Sequence, residues 1–384
     1  MRVFLIAGEP SGDALGGALM AGLKALVPGA IFLGVGGPKM QDEGLVSLFP
    51  MEELSVMGLL EVLPKYFELK RRIDETAQAA MAAAPDVIVT IDSPDFCLRV
   101  VKRVRAARPG QRVVHYVAPS VWAWRPKRAQ KMAPLVDQVL ALLPFEPPYM
   151  EAAGMRCDFV GHPVAAEPVP TTDEVDAFRA AQGLQGAKVL AVLPGSRKGE
   201  VARLGPRFGA ALARIVDARP GIRVILPTVP HLEEMVREIT AGWPGAPCII
   251  TSAGAEKRAA FAAADAALAA SGTVSLELAA VGTPMVIAYD VNRLTRMIAS
   301  RMLLIDTFTL VNLVSETRAV PEFIGERCVP GLIAPGVLDV LDEPDAQADA
   351  MATTMERLGR GADAPGTRAA HAVLVGAGIR VPRS

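Results

Sequence analysis

VVHYVAPSVWAWRPKR, residues 113–128, is an apolar run that turns abruptly into aromatic and basic residues. Val113–Val117 has the short, β-branched composition of a buried strand. The loop after it holds Trp122 and Trp124, two of the three tryptophans. Loops at the carboxyl ends of strands carry the sites of α/β proteins, so the pattern predicts a mouth for a ligand that is both apolar and anionic. Tryptophans packed in the core beside a solvated basic helix explain the same pattern. The cations in and just after this segment are Arg125, Lys127, Arg128 and Lys131.

The alternation of apolar strands and amphipathic helices extends along the whole chain. Runs such as Val3–Ala7 and Val87–Ile91 each precede a helix-like segment, which predicts parallel sheets covered by helices. Residues 164–175, VAAEPVPTTDEV, are proline-rich and polar like a linker, and the pattern restarts after them. We therefore predict an α/β protein with two Rossmann-like, doubly wound domains that face a cleft. The predicted divisions are a first domain (1–165), a second domain (166–342) and a helical tail (343–384).

The composition narrows the classes of function. Hydrophobic residues make up 51% of the 384 residues. No apolar run reaches the roughly 18–20 residues that cross a bilayer, and the first apolar run is too short for a signal peptide. We therefore expect a cytoplasmic protein. A net charge of −1 provides no field to recruit nucleic acid, and the four scattered cysteines lack the spacing of a zinc or redox site.

Two loops of the second half suit a phosphorylated ligand. Leu193–Arg197, LPGSR, connects a strand to a helix, whose first N–H groups favour an anion together with the Arg197 side chain. Ala270–Glu277, ASGTVSLE, is a similar turn, and Glu277 can accept both hydroxyls of a ribose. Together the loops predict a site for a nucleotide diphosphate. An ordinary βα turn, and a serine or threonine N-cap beside a solvated glutamate, are the structural alternatives.

The first half supplies candidate acids and bases. Gly8–Asp13, GEPSGD, follows the first strand and places Glu9 at the strand end, while Ser11 or Asp13 can instead cap the next helix. Asp92 ends another strand and is a candidate general base, a role worth about 10²–10⁴-fold in rate. The candidate site residues here are thus Glu9 and Asp92.

Two further features have structural alternatives. His115 and His162 also lie at strand ends, and hydrogen-bonded structural histidines are the favoured interpretation. Residues 51–63, MEELSVMGLLEVL, precede several cations. This segment predicts either an apolar flap in an anionic membrane interface or an ordinary packed amphipathic helix.

Taken in order, these segments resemble the lipid-A-disaccharide synthase family of GT-B glycosyltransferases. The resemblance extends from Met1 to about Pro330, and AGEPSGD (7–13) and PSVWAWR (119–125) are its most specific motifs. It implies an inverting enzyme that needs no cofactor or metal. The enzyme would move a 2,3-diacylglucosaminyl group from its UDP donor to 2,3-diacylglucosamine 1-phosphate. A β-1,6 bond would form and UDP would leave, a step in lipid A (lipopolysaccharide) biosynthesis.

The resemblance also implies roles for individual residues. Asp92 matches the position proposed as the base, and Glu9 matches an essential acidic position. Asn312 matches a position linked to the UDP donor. The full predicted donor site is Gly195, Ser196, Arg197, Ser271, Gly272, Thr273, Glu277 and Asn312. The predicted acceptor and lipid side is Ser11, Trp122, Trp124, Arg125, Lys127 and Arg128.

The implied substrates carry acyl chains, so we expect peripheral association with the cytoplasmic face of an anionic inner membrane. Family members can form dimers with exchanged C-terminal parts, so a homodimer is a further expectation. Two other kinds of function fit the loops: another GT-B enzyme, such as a UDP-N-acetylglucosamine epimerase or a lipid glycosyltransferase, and a non-catalytic UDP-sugar or lipid binding protein. The tryptophan segment disfavours an epimerase of soluble sugars. The presence of Glu9, Asp92 and Arg197 together disfavours the non-catalytic binding protein.

Overall fold

The computed structural model of the chain describes residues 1–54, 59–292, 296 and 302–379. Residues 55–58 of segment 51–63, the candidate membrane flap or packed amphipathic helix, lie outside these ranges. The chain divides into two compact units. The first unit combines Met1–Ala166 with Gly361–Ser384, and the second is Glu167–Arg360.

Each unit is built on one sheet, and neighbouring strands pair in parallel throughout. The first sheet has the order β3-β2-β1-β4-β5-β6-β7, and the second has the order β10-β9-β8-β11-β12-β13. The strands of the first sheet are β1 (Arg2–Ala7), β2 (Ile31–Val35), β3 (Val46–Ser47), β4 (Val87–Ile91), β5 (Val113–Tyr116), β6 (Gln138–Ala141) and β7 (Arg156–Phe159). Those of the second are β8 (Val189–Leu193), β9 (Arg223–Pro227), β10 (Cys248–Ile250), β11 (Ala266–Ala269), β12 (Met285–Tyr289) and β13 (Glu322–Ile324). The predicted pair of doubly wound α/β sheets is confirmed.

The helices of the described residues cover both sheets, and short 3₁₀ turns supplement them. In the first half of the chain they are α1 (Pro10–Leu26), α2 (Pro38–Asp42), α3 (Leu59–Ala83), α4 (Pro94–Ala107), α5 (Lys127–Met132), α6 (Pro147–Glu151) and α7 (Thr172–Ala181). The others are α8 (Lys198–Ala218), α9 (Glu233–Thr240), α10 (Gly254–Ala262), α11 (Val274–Ala280), α12 (Leu310–Ser315), α13 (Pro330–Asp342), α14 (Ala348–Arg357) and α15 (Pro365–Gly376). The 3₁₀ turns are Met51–Leu54, Pro163–Ala166, Pro230–Leu232, Gly325–Arg327 and Pro344–Gln347.

The order of strands decides where a site can form in each unit. Helices cover both faces of a doubly wound sheet, so its central strands are buried along their whole length, as β4 and β8 are. The order reverses between β1 and β4 in the first sheet and between β8 and β11 in the second. Connections leave on opposite faces at such a point, which opens a crevice beyond the carboxyl ends of the two strands.

The predicted tail, 343–384, is divided between the units. Its first part, with α14, stays in the second unit, whereas α15 packs on α1 of the first. Gly22 and Gly366 permit the close approach, since a Cβ on Gly366 would lie 2.5 Å from the Ala18 carbonyl oxygen. Gln138 Nε2 also donates to the Ala372 carbonyl (2.9 Å). Residues 343–384 are therefore not one separate segment.

Candidate functional site

Three loops leave one edge of the first sheet together. Ala7 of β1 pairs with Ile91 of β4, and Ile91 pairs with Tyr116 of β5, so these strands end side by side. The Asp92 N–H donates to the Tyr116 carbonyl (2.9 Å). A Cβ on Gly8 would lie 2.9 Å from the Ser93 hydroxyl, which shows how closely the first two loops pack. The sheet therefore brings the Glu9 loop, the Asp92 loop and the tryptophan segment to the same edge.

The backbone at this edge is strained. Asp92 and Ser93 have φ values of 49° and 42°, and Val117, the first residue after β5, has a φ of 81°. Left-handed backbone is costly for residues other than glycine, and most of all for a β-branched valine, at about 1–3 kcal/mol each. Such strain persists where the surrounding structure enforces a geometry, which marks this edge as a candidate site. Asp92 itself is half-buried there.

The GEPSGD loop holds two acidic residues, of which one is a candidate catalytic acid and the other is structural. Glu9 is the half-buried N-cap residue of α1, and Ser11 is exposed in the first turn. Asp13 is buried, and its carboxylate accepts the backbone N–H groups of Gly37 (2.9 Å), Lys39 (3.0 Å) and Met40 (3.0 Å). Asp13 thus caps α2 rather than its own helix, and it anchors the loop that follows β2.

The two tryptophans of the opening segment have different surroundings. Trp122 is half-buried, contacts Phe145 edge-on with ring centroids 5.1 Å apart, and donates from Nε1 to Glu146 (3.3 Å). Glu146 also accepts two backbone N–H groups, and its burial raises the pKa of its carboxyl to about 7. Trp124 keeps 38% of its surface exposed, with the Arg125 guanidinium 4.2 Å from its ring centroid. Only Trp124 of this pair is therefore well exposed to a ligand or a membrane.

A basic cavity of about 500 Å³ opens beside Trp124. Among its described lining residues one is acidic: Asp95 is 93% exposed and lies 3.9 Å from Arg128, so it neutralises little charge. The surplus of guanidinium and ammonium groups suits a phosphate. The lining residues are Asp95, Arg125, Pro126, Lys127, Arg128 and Lys131.

A second cavity of about 500 Å³ lies where β8 and β11 end in the second unit. Leu193 pairs with Ala269, so the two predicted phosphate loops begin next to each other. Gly195 and Gly272 have φ values of 124° and 154°, which only glycine adopts at low cost. Seven of the eight predicted donor residues line this cavity: Gly195, Ser196, Arg197, Ser271, Gly272, Thr273 and Glu277.

Asn312, the eighth predicted donor residue, is buried away from the solvent. It is fully buried, donates to the Val320 carbonyl (2.9 Å) and to Thr307 (3.3 Å), and accepts the Val320 N–H (2.9 Å). Asn312 is not among the described residues that line the cavity. Asn312 instead holds the segment whose Phe308 carbonyl accepts the Ser271 hydroxyl (3.1 Å), so its side chain supports the site indirectly.

Side chains that the sequence did not single out complete this cavity. The Glu200 carboxylate accepts the Tyr289 hydroxyl (3.1 Å), and both oxygens of Glu277 accept hydrogen bonds from Lys257 (2.8 and 2.9 Å). Glu200 stands in the first turn of α8, where an acidic residue is ordinary, and Lys257 is 20 residues from Glu277. No local spacing pattern signals either partnership.

Both histidines are structural, as favoured. His115 is buried and hydrogen-bonds the Thr90 hydroxyl (2.7 Å). The Nδ1 of His162 accepts the Val164 N–H (3.2 Å). Burial lowers the pKa of each imidazole to about 4, so both are neutral near pH 7 and unsuited to proton transfer there.

Among the described residues, no cluster of three histidine, cysteine or acidic side chains could hold a metal ion. Within the same ranges no helix has the length and apolarity to cross a membrane.

Solved structures define the class of fold. A UDP-N-acetylglucosamine 2-epimerase from Neisseria meningitidis matches with a TM-score of 0.64 and 12% identity, covering 98% of this chain and 99% of that one. A glycosyltransferase from Rickettsia africae matches with a TM-score of 0.59 and 10% identity, covering 98% and 97%. The fold is thus GT-B, with two parallel α/β sheets of seven and six strands.

Sequence relatives identify the family within this class. The family model described as lipid-A-disaccharide synthetase (LpxB) matches residues 3–369. The lipid-A-disaccharide synthase of Ruegeria pomeroyi is 64% identical over 381 residues, covering 97% of this chain and 95% of the relative. That of Rhodospirillum centenum is 48% identical over 379 residues, covering 97% and 94%. The chain belongs to the lipid-A-disaccharide synthase family, whose members are glycosyltransferases. The predicted family, fold and enzyme class are confirmed.

Proposed function

We propose that the protein transfers a 2,3-diacylglucosaminyl group from its UDP donor to 2,3-diacylglucosamine 1-phosphate, with inversion. One observation supports the donor site of this proposal: two glycine turns and Glu277 line the same cavity of the second unit. The Ser196 N–H and Arg197 would hold the diphosphate near the amino terminus of α8. Glu277 would accept the ribose hydroxyls.

The first unit would bind and activate the acceptor. Asp92 would take the proton of the acceptor 6-hydroxyl while that oxygen attacks the anomeric carbon of the donor. The bond from this carbon to UDP breaks on the opposite face, and the diphosphate leaves with the electron pair, stabilised by Arg197. Glu9 is held near Asp92 by the pairing of β1 with β4, which supports a role in the same step. The cavity lined by Arg125, Lys127 and Arg128 would take the acceptor phosphate.

We further propose peripheral binding to the cytoplasmic face of an anionic inner membrane. Both substrates carry acyl chains, and each methylene withdrawn from water contributes about 0.8 kcal/mol. Trp124 and Phe67 are exposed by 38% and 81%, and cations accompany both. Aromatic side chains beside basic residues suit an anionic interface. A homodimer stays a prediction, to be checked by analytical ultracentrifugation.

The function is tested with purified protein and both acylated sugars in mixed micelles. UDP release and a disaccharide product are expected, and the same reaction with a donor lacking acyl chains measures the contribution of the lipid. The Asp92→Asn variant serves as the inactive control. Folded protein that binds UDP but forms no disaccharide would indicate a binding protein instead.

A further inference from the structure

Lys257 and Glu277 form an ion pair in the wall of the donor cavity. The ammonium group lies 2.9 Å from Oε1 and 2.8 Å from Oε2 of the carboxylate, so both oxygens share it. The two side chains are exposed by 35% and 31%, which places them at the cavity surface rather than in the core. They also line an adjoining cavity of about 180 Å³. The pair therefore lies where the two cavities meet.

The geometry of the pair constrains the carboxylate. Lys257 extends from α10, where its ammonium lies 5.2 Å from the ring centroid of Phe261. A shared ammonium fixes the plane of the Glu277 carboxylate, while each oxygen retains a second lone-pair site. Two ribose hydroxyls must be accepted at once, so a carboxylate that is already oriented loses less rotational freedom on binding.

We infer that Lys257 is a positioning residue that holds Glu277 in the orientation that accepts both ribose hydroxyls of the donor. This inference rests on the proposed donor site. Lys257 acts through Glu277, so its removal should weaken recognition of the ribose and leave the chemical step of bound substrates nearly unchanged.

The test compares UDP with 2′-deoxy-UDP by isothermal titration calorimetry. In the wild type the missing hydroxyl should weaken binding by about tenfold, the size of one hydrogen bond to a charged group. Lys257→Met should weaken UDP binding by about tenfold and bring the ratio between the two ligands close to one. Lys257→Arg should restore most of the ratio. With saturating donor, kcat should stay within about twofold of wild type, since the lost interaction is made equally in the ground and transition states.

Two controls separate positioning from a general effect on the fold. Lys188→Met removes a lysine that pairs with Asp265 (2.9 Å) and lines neither cavity, and it should leave both affinities unchanged. In a Glu277→Gln background, Lys257→Met should have no further effect on UDP binding, because the partner through which it acts is already neutral.

The outcomes distinguish the inference from the proposed function. A wild-type ratio of UDP to 2′-deoxy-UDP affinity in Lys257→Met, or additive losses in the double variant, would overturn the inference while the donor site stands. A wild-type protein that does not bind UDP would overturn both.

Discussion

The Glu200 carboxylate accepts the backbone N–H of Ser196 (3.1 Å) in the turn between β8 and α8. The same carboxylate lies 3.6 Å from the Arg197 guanidinium. In the proposed donor site a diphosphate would use these same two groups, so Glu200 and the diphosphate would compete for them. The Tyr289 hydroxyl, which donates to Glu200 from the end of β12, holds the carboxylate in this position.

Glu200→Gln is therefore expected to strengthen UDP binding. The amide removes a negative charge beside the diphosphate, and a gain of about three- to tenfold is expected at low salt, shrinking as salt rises. Calorimetry at two ionic strengths measures it. Glu233→Gln, on the exposed face of α9, is the matched control. Weaker binding by Glu200→Gln would instead make Glu200 a support of the turn.

Asp92→Asn should sharply reduce turnover while UDP binding persists. Asparagine tolerates left-handed backbone, so the φ of 49° is kept and only the basic carboxylate is lost. A fall in kcat of about 10²–10⁴-fold is expected, with a UDP dissociation constant close to wild type. Loss of UDP binding together with turnover would show that Asp92 serves the fold.

Arg197→Ala should act mainly on the donor. Its side chain is 68% exposed, so removing it leaves no cavity in the core. The donor KM should rise by about ten- to hundredfold, since a charge-assisted contact to the diphosphate is lost, while the acceptor KM changes little. Steady-state kinetics with each substrate varied in turn measures both. Unchanged donor KM and kcat would remove Arg197 from the site.

The buried Glu146 carboxyl should make stability depend on pH. Its pKa, raised to about 7 by burial, exceeds the usual value of 4.5, so the folded protein retains a proton that the unfolded chain releases. The free energy of unfolding should therefore fall by up to about 3 kcal/mol as the pH rises from about 4.5 through 7. In Glu146→Gln the free energy of unfolding should not fall with pH in this way. In Glu151→Gln, on the exposed surface of α6, the fall should remain. Urea unfolding across this pH range measures the difference, and equal slopes in wild type and Glu146→Gln would contradict it.

The two tryptophans should respond differently to truncation. Trp124→Ala should reduce co-sedimentation with anionic vesicles while thermal stability stays near wild type, because the ring is exposed. Trp122→Ala should lower the free energy of unfolding by about 3 kcal/mol or more, because it removes the edge contact with Phe145 and leaves Glu146 short of a donor. Equal vesicle binding by Trp124→Ala and wild type would contradict a membrane role for this residue.

The sequence by itself determined the architecture and most of the donor loops. Strand and helix periodicity is a local property, so the alternation and the break near residue 166 are visible without a structure. The candidate donor loops can also be recognised in the sequence, because Gly195 and Gly272 each lie near a strand end and their turns need only neighbouring residues. Once the strands lie in parallel, the carboxyl ends of β8 and β11 meet at one edge.

Only the tertiary structure decided which side chains pair across these loops. Asp13 caps α2 through the backbone N–H of Lys39, Lys257 hydrogen-bonds Glu277, and Asn312 turns inward to Val320, although all three look like ordinary surface or site residues in the sequence. The division of residues 343–384 between the units also depended on contacts of α15 with α1. These pairings arise from strand order and helix packing, which bring distant residues together, and no local pattern encodes which of several polar side chains will meet.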